Sequence, residues 1–399
     1  MNPLRTWRWP LAEPAYRDLV RDLALRYHKW DATVNDRCRI LPESIVLDRP
    51  THARLVQAAE SFAAAVRRFE ARTWREPDVA ERLGLDSALR PLLTASSPRE
   101  SAFCRADFFR TRDGAWRISE FNEDVPGGFN EAVGVAELVD ETTLGGRAEG
   151  ALKQQLTDAF DDCDRIGLVF ATAFSEDLQH CALLARWLEE AGHDTVLASP
   201  EQLRWRRGPS LDNRSVDGVF RFFPGESMAF LTNRETWVRA LPRLRLMNPP
   251  LRLLAQSKRS FALWLADETA EQADRALFRE WLPHTECYDP VREADVCAER
   301  ERWVLKRAFG RMGDAVLMGA LAKPDTWAAA LAVARVCPDE FALQERFDVA
   351  PLPFEAGVMY PTIGVYTVNG RFAGYYSRVA PQPFITSEAY HVATVVETA

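Results

Sequence analysis

The chain contains 399 residues, of which 47% are hydrophobic and 27% are charged, the balance of an ordinary globular protein. This length allows two or three packed domains. The net charge of −8 argues against nucleic acid as the main partner, and no apolar run reaches the length of a membrane span.

The cysteines and the N-terminus bear on the cellular compartment. The seven cysteines are scattered and form no Cys-x-x-Cys pair, so neither a zinc site nor a disulfide framework is indicated. The first ten residues lack the apolar core of a signal peptide. We therefore expect reduced thiols and a cytoplasmic location.

Residues 1 to about 100 are predicted to be mostly helical. Within residues 54–70, apolar side chains recur at the spacing of an amphipathic helix. The stripe consists of Leu55, Ala59, Phe62, Val66 and Phe69.

A β-hairpin is predicted next, at residues 103–122. Asp113-Gly114 is a strong signal for a two-residue type I′ turn, and Phe, Trp and Ile residues flank it. If Arg112 pairs with Ala115, counting outward gives three further pairs on one face, because side chains alternate with period two. These pairs are Phe109 with Ile118, Asp107 with Glu120, and Arg105 with Asn122.

Opposed carboxylates in such a hairpin need an explanation, because like charges there cost about 0.2–1 kcal/mol. A Mg²⁺ ion between the carboxylates would replace their repulsion with attraction to the metal. Asp107, Glu120 and the amide oxygen of Asn122 offer it oxygen ligands. Arg105 beside them suits a phosphate or a carboxylate. A solvated hairpin with charges on its outer face is the alternative, and the hairpin alone does not decide against it.

The next segment contains Gly127 and Gly128, which permit close backbone approach, and then a polar helical stretch at about 131–162. A βαβ pattern follows: strands at 165–171 and 194–198 enclose a helix at 177–191, which indicates a parallel sheet. Residues 216–223 add a strand. We place a small Rossmann-like domain at about 163–250; it lacks the Gly-x-Gly-x-x-Gly signature, which argues against a nicotinamide nucleotide.

Two lysines occur in the last third. A helix at 257–266 is predicted to carry Lys258 on an apolar stripe, where the side chain either snorkels or directs its amine into a closed cleft. Lys306 ends a predicted strand, and a turn containing Gly310 and Gly313 follows it. A lysine before a glycine loop suits phosphate binding, but the loop is not a Walker A motif, and glycine hairpins of this kind are common.

The chain ends with more strands. One is predicted at 341–346, and Asn369-Gly370 marks a second hairpin between 361–368 and 371–379. Arg378 lies just beyond the paired region of that hairpin.

In this order, the motifs resemble the circularly permuted ATP-grasp enzymes, of which glutathionylspermidine synthetase is the best-known member. The resemblance covers about residues 100–399. No single motif is specific, so the resemblance depends on the order of the motifs and on the Rossmann-like domain between them. Ordinary ATP-grasp proteins have the metal hairpin after the nucleotide lysines, whereas here it comes first. The motifs are Arg105-x-Asp107, Glu120-x-Asn122, Lys258, Lys306 with Gly310 and Gly313, and Gln344.

The resemblance implies an α/β (α+β) class and three domains. Residues 1–162 form an N-terminal helical region plus the metal hairpin, the permuted half of the ATP-grasp fold. Residues 163–250 form an inserted Rossmann-like pre-ATP-grasp domain. Residues 251–399 form the nucleotide-binding lobe with a glycine lid, matched by the loop 308–314, and the C-terminal hairpin.

The resemblance also implies roles. Mg²⁺ is bound by Asp107, Glu120 and Asn122, Arg105 stabilises the transferred phosphoryl group, and the nucleotide is contacted by Lys258, Lys306, Gly310, Gly313, Gln344 and Glu345. Substrate candidates are Gly127, Gly128, Asn130, Arg221 and Arg378; for Arg221 a structural salt bridge is an equal alternative.

The implied reaction is ATP-dependent, ADP-forming ligation of a small-molecule carboxylic acid to an amine through an acyl phosphate, with Mg²⁺. Neither a nucleic acid nor a membrane partner is expected, and the sequence indicates no oligomeric state. There is no room for the amidase domain of some members, and residues that select glutathione or a polyamine are not matched, so the family name does not define the substrate. The alternatives are a phosphotransferase on the same scaffold and a non-catalytic nucleotide-binding protein.

Overall fold

The computed structural model describes residues 3–97, 101–310 and 316–398. The strands, labelled β1 to β21 in chain order, are Leu4–Arg8, Thr33–Val34, Arg37–Cys38, Ile40–Leu47, Phe103–Arg110, Trp116–Asn122, Arg165–Phe170, Asp194–Ala198, Arg204–Trp205, Pro209–Leu211, Arg214–Ser215, Gly218–Phe222, Arg245–Met247, Thr285–Cys287, Trp303–Arg307, Val316–Met318, Phe341–Glu345, Leu352–Phe354, Gly357–Val368, Arg371–Ala380 and Tyr390–Val396. The helices, labelled α1 to α14, are Glu13–Arg26, Arg49–Thr73, Pro77–Arg82, Arg90–Ala95, Phe129–Leu138, Glu141–Leu144, Leu152–Asp158, Ser175–Glu190, Arg234–Ala240, Leu253–Gln256, Ser260–Ala266, Gln272–Trp281, Glu293–Ala298 and Pro324–Val336.

The class is mixed α/β, and the largest sheet draws on both ends of the chain. Its strand order is β1-β4-β21-β20-β19-β5-β6, with β18 paired to β19 at one side. Its pairs are antiparallel except for β21 and β4, which run parallel. The sheet therefore unites strands from the predicted first and third domains.

The predicted N-terminal helical region is only partly helical. The stripe on α2 is buried as predicted, with Leu55 and Phe62 fully inaccessible to solvent. However, β1 and β4 are strands of the large sheet, which the prediction missed. In β4 the buried residues are nearly continuous, and such a pattern does not distinguish a buried strand from a buried helix.

Both faces of the large sheet are covered. On one face, α2 packs against β19, and Phe62, Phe108 and Val365 belong to one hydrophobic cluster. On the other face, α5 packs against β20 and β21. Burying each large apolar side chain contributes about 1.5–3 kcal/mol, so both layers hold the sheet firmly.

The predicted βαβ unit is confirmed as a four-stranded parallel sheet with the order β13-β12-β7-β8. The helix between β7 and β8 is α8, which packs on both strands. A separate antiparallel sheet has the order β14-β17-β15-β16 and carries both Lys306 and Gln344.

Within the described residues, no helix is long and apolar enough to span a lipid bilayer.

Candidate functional site

The hairpin formed by β5 and β6 places its polar residues as predicted. Asp107 pairs with Glu120, and Arg105 pairs with Asn122. Directly paired residues project from the same face, so all four side chains lie on one side of the sheet.

The turn of this hairpin differs from the prediction. Its loop has three residues, because the N–H of Thr111, not Arg112, donates to the carbonyl of Ala115 at 2.9 Å. Within the turn, Gly114 has a positive φ of 87° but Asp113 does not, which is typical of a type I turn followed by a glycine bulge.

The longer loop shifts the register by one residue, and a β-bulge then restores it. Ile118 pairs with Phe108, so the predicted pair of Phe109 with Ile118 is wrong. Between this pair and Asp107–Glu120, one extra residue, Ser119, is accommodated on β6. The two deviations cancel, and the prediction is therefore correct at the polar end.

Asp107 is 2% exposed, and its carboxylate is surrounded by donors. Arg105 binds it through Nε and Nη2 at 2.6 and 2.9 Å, and Nη2 of Arg378 donates to Oδ2 at 2.9 Å. The amide nitrogen of Asn122 adds a longer contact of 3.3 Å. Two arginines from distant parts of the chain thus converge on one carboxylate, a strong charge-assisted arrangement.

Gly364 makes room for this cluster. It lies on the neighbouring strand β19 and pairs with Asp107 of β5. A Cβ atom there would lie 2.7 Å from Cδ of Arg105 and 2.5 Å from the carbonyl of Tyr376. The arginine side chain therefore crosses the strand only because glycine leaves the space open.

Glu120 faces the two predicted lysines. The amine of Lys258 forms an ion pair with its carboxylate, and the amine of Lys306 donates to the carbonyl of Ser119 at 2.9 Å. Burial opposes ionisation of Glu120, but Lys258, Lys306 and Arg105 outweigh it and lower its pKa to about 2.

Lys306 has an unusual charge environment. Burial lowers its pKa to about 8, with the positive charge of Lys258 acting in the same direction and Glu120 opposing it. Two ammonium groups held beside one carboxylate leave an excess of positive charge, which favours an anionic ligand at this point.

Lys258 lies in a turn and not on the predicted helix stripe. The helix is interrupted between α10 and α11, and Ser257 has an extended ψ of 133°. The N–H of Lys258 donates to the carbonyl of Ala308 at 2.9 Å, and the hydroxyl of Ser257 donates to Leu83 at 2.7 Å. These long-range bonds override the helical periodicity and turn the amine toward Glu120.

The other residues predicted to contact the nucleotide do not all lie at the site. Gln344 lines a small pocket together with Ser119, Glu120, Lys258 and Lys306, whereas Glu345 contacts Arg302 near the surface at 3.1 Å. Gly310 follows β15, and its N–H donates to Arg307 at 3.2 Å. Gly313 and most of the predicted lid at 308–314 lie outside the described residues.

The loop after the hairpin contacts the side chains that surround Asp107. The carbonyl of Gly127 accepts bonds of 2.6 Å from both Arg105 and Tyr366. Gly128 has a φ of +98°, and a Cβ there would lie 2.5 Å from the ring of Tyr376. These contacts give both glycines a positioning role; direct contact with a substrate remains a prediction.

Asn130 is fully buried. Its amide nitrogen donates to the carbonyls of Tyr27 and Gln179 at 2.6 and 3.1 Å. The side chain thus ties α5 to the end of α1 and to α8, and its predicted contact with substrate stays untested.

The geometry at Arg221 favours the structural alternative. The side chain is 0% exposed and pairs with the equally buried Asp124. Nε also donates to the carbonyl of Asn248 at 2.7 Å, and Asp124 accepts from the N–H of Gly225 at 3.1 Å. The pair connects the parallel sheet to the end of the hairpin.

The donor set suits a magnesium ion only with help from a ligand. No cluster of three or more His, Cys, Asp or Glu side chains fit for a metal occurs in the described ranges. Asp107, Glu120 and Asn122 offer two carboxylates and an amide, the oxygen chemistry that Mg²⁺ prefers when phosphates complete its shell. The residues therefore fit the ion, provided that Lys258 and Arg378 release the carboxylates toward the phosphates.

A family model described as glutathionylspermidine synthase preATP-grasp matches residues 12–397. The chain belongs to this family. The match extends over nearly the whole sequence, including the N-terminal part that the sequence motifs left undistinguished.

A solved structure shows the same overall fold. A glutathione synthetase-like effector from Globodera pallida, solved in its apo form, superposes with a TM-score of 0.63 at 12% identity, covering 98% of this chain and 100% of that chain. A putative gamma-glutamylcysteine synthetase from Methylobacillus flagellatus gives a TM-score of 0.48 at 14% identity, covering 80% and 88%. The comparison with curated proteins gives no match.

Several polar residues of this family member were not found from the sequence. Gln256 accepts from the N–H groups of Glu123 and Asp124 at 2.9 and 3.1 Å, and so fixes the end of the hairpin. Tyr366 pairs with Arg105 across the strands and donates to the same Gly127 carbonyl, and the ring centre of Tyr376 lies 5.0 Å from the guanidinium of Arg105.

Proposed function

We propose that this protein is an ATP-dependent carboxylate–amine ligase that forms ADP, phosphate and an amide bond. The observation that carries the proposal is the convergence of Asp107 and Glu120 with four basic side chains, Arg105, Arg378, Lys258 and Lys306, in a member of this family. Two carboxylates for a metal and four cations for phosphates are the parts that phosphoryl transfer requires.

We further propose a circularly permuted ATP-grasp fold. The metal hairpin precedes both lysines in the chain, and the parallel sheet of β7, β8, β12 and β13 lies between them. Residues 163–250 are then the inserted Rossmann-like pre-ATP-grasp domain. Residues 1–162 and 251–399 supply the two parts of the ATP-grasp unit, which agrees with the sheet they share.

In the proposed reaction, an oxygen of the substrate carboxylate attacks the γ-phosphorus of ATP, giving an acyl phosphate and ADP. The amine then attacks the acyl carbon and phosphate leaves. Lys258 and Lys306 bind the nucleotide phosphates, while Arg105 and Arg378 stabilise the charge of the transferred group. Arg378 is the more accessible guanidinium, at 18% side-chain exposure, and Arg105 also orients Asp107.

Mg²⁺, when bound by Asp107, Glu120 and Asn122, supplies Lewis-acid neutralisation of phosphate charge. Gln344 lies on β17, the strand next to β15, which carries Lys306. We place the adenine end of the nucleotide at Gln344. The predicted lid at 308–314 is proposed to exclude water from the acyl phosphate.

Product analysis tests the reaction type. We expect ADP and phosphate to be released together, in equal amounts, only when an acid and an amine are both present in the screen. An acid labelled with ¹⁸O in its carboxylate should transfer the label to phosphate, because the carboxyl oxygen forms the new bond to phosphorus. Release of ADP without phosphate, with a phosphorylated product, would instead establish a phosphotransferase.

Nucleotide binding is expected to weaken as the pH rises above about 8. Burial lowers the pKa of Lys306 to about 8, whereas bound phosphates favour the ammonium form, so the complex keeps the proton to a higher pH than the free protein. Between these two pKa values binding takes up a proton, and affinity falls by up to about tenfold per pH unit.

Calorimetric titration of a non-hydrolysable ATP analogue measures this uptake, because the apparent enthalpy then depends on the ionisation enthalpy of the buffer. We expect uptake at about pH 9 and little at about pH 7. The matched Lys306→Met variant should bind more weakly and show no uptake. Affinity that is constant across this range would contradict the assignment of Lys306.

A further inference from the structure

The ring of Tyr376 lies beside the polar cluster of the candidate site. Tyr376, Gly364 and Asp107 form one row across the neighbouring strands β20, β19 and β5. Directly paired residues project from the same face, and Gly364 has no side chain, so no side chain of β19 separates the ring from Asp107. The guanidinium groups of Arg105 and Arg378 lie 5.0 and 5.6 Å from the ring centre. Two cations therefore share one aromatic ring.

The side chain of Tyr376 carries no charge. Tyr376 is 8% exposed, and its hydroxyl lies 2.9 Å from Nδ1 of His391. Burial raises the pKa of Tyr376 above its ordinary value, so the phenol stays protonated near pH 7. Burial also lowers the pKa of His391 to about 4, so that ring is neutral as well. The attraction for the two guanidinium groups is therefore a cation–π interaction, which acts within about 6 Å of the ring centre.

Arg378 has few other contacts to hold it in place. Its Nη2 donates to Asp107 at 2.9 Å, whereas its Nε is buried and has no hydrogen-bond partner among the described residues. Arg105, in contrast, also donates to the carbonyl of Gly127 at 2.6 Å. When Asp107 turns toward a metal ion, as the proposed function requires, Arg378 loses its carboxylate partner. The ring of Tyr376 is the contact that then remains.

We propose that Tyr376 is a positioning residue for phosphoryl transfer, whose ring holds Arg105 and Arg378 in place for the transferred phosphoryl group. The inference rests on the proposed ligase function and extends it to a residue that acts through the two arginines. The guanidinium groups repel each other, and both bind the single carboxylate of Asp107. The negative face of the ring attracts both cations independently of that carboxylate, so it keeps them together when Asp107 binds the metal.

Replacing Tyr376 in the full chain with phenylalanine and with its mono-, di- and trifluoro derivatives tests this role. Each added fluorine weakens the negative charge of the ring face and changes the ring size little. Calorimetry measures the affinity for ADP with Mg²⁺ and aluminium fluoride, which mimics the phosphoryl group during transfer. We expect this affinity to fall stepwise, by about tenfold over the series, while the affinity for a non-hydrolysable ATP analogue stays within about twofold. A purely structural role gives no such graded response.

Tyr375 provides the matched control. Its ring belongs to the hydrophobic cluster on the other face of the sheet, where its hydroxyl lies 2.8 Å from Nδ1 of His52. The same substitutions at Tyr375 should change neither affinity by more than about twofold. In an Arg378→Met background, fluorination at Tyr376 should lower the affinity by about threefold or less, because Arg105 is then the one cation of the pair that remains.

The inference is overturned if the affinity stays constant across the series at Tyr376, or if the ATP analogue or the series at Tyr375 shows an equal fall. It is also overturned if aluminium fluoride does not increase the affinity of the wild type for ADP. Each of these results leaves the nucleotide site in place when the wild type binds the ATP analogue. If the wild type binds neither nucleotide, the proposed function falls, and the role of Tyr376 falls with it.

Discussion

Replacing Asp107 with asparagine is expected to lower kcat by about three orders of magnitude, while the affinity for an ATP analogue falls by less than about tenfold. The carboxylate orients Arg105 and Arg378 and is a proposed magnesium ligand, so its charge acts mainly during phosphoryl transfer. The lysines proposed to contact the nucleotide phosphates are unchanged in this variant. Turnover is measured as ADP release with an acid–amine pair that the product screen identifies.

Asp113→Asn provides the matched control for this variant. Asp113 lies on the same hairpin, but at the exposed tip, where its carboxylate binds Thr111 and the N–H of Ala115. We expect its kcat to stay within about twofold of the wild type, since surface substitutions of this kind have small effects. Equal losses of turnover and nucleotide affinity in Asp107→Asn, or a comparable loss in Asp113→Asn, would contradict the role given to Asp107.

Replacing Arg221 with methionine is expected to destabilise the fold by about 3–5 kcal/mol. The guanidinium neutralises Asp124 in a fully buried pair, and its removal leaves that carboxylate buried without its cation. Urea denaturation followed by circular dichroism measures the loss of stability.

Arg8→Ala removes an exposed ion pair with Glu355 and serves as the comparison. It should cost less than about 1 kcal/mol, because water already screens this pair. If Arg221 instead contacts the substrate, Arg221→Met would retain its stability and raise KM. That result would restore the alternative that the buried geometry disfavours.

The polar hairpin was predictable because its signals are local. The Asp-Gly turn and the alternation of side chains with period two predict the hairpin, whereas the pairing of Asp107 with Glu120 was predicted correctly only because the longer loop and the bulge cancel. The same reasoning identified the second hairpin, whose Asn369 and Gly370 both adopt positive φ values, 52° and 80°. The loop length at Asp113 and the compensating bulge were not predictable, because they depend on packing around the strands.

Periodicity failed where distant contacts determine the backbone. Lys258 fits a helical stripe by spacing, yet a bond to Ala308 holds it in a turn. Its partner Glu120 is 138 residues away in the chain, and Arg378 is 271 residues from Asp107. Such pairings leave no trace in the local sequence pattern, so only the order of motifs could indicate that these residues meet.

The central claim is a nucleotide site built on the hairpin and the two lysines. Its most direct test is calorimetric titration of a non-hydrolysable ATP analogue, with and without Mg²⁺, on the wild type and on Lys306→Ala. We expect binding that depends on Mg²⁺ and is lost or strongly weakened in the variant. Absence of binding by the wild type, or equal binding by both proteins, would contradict the account.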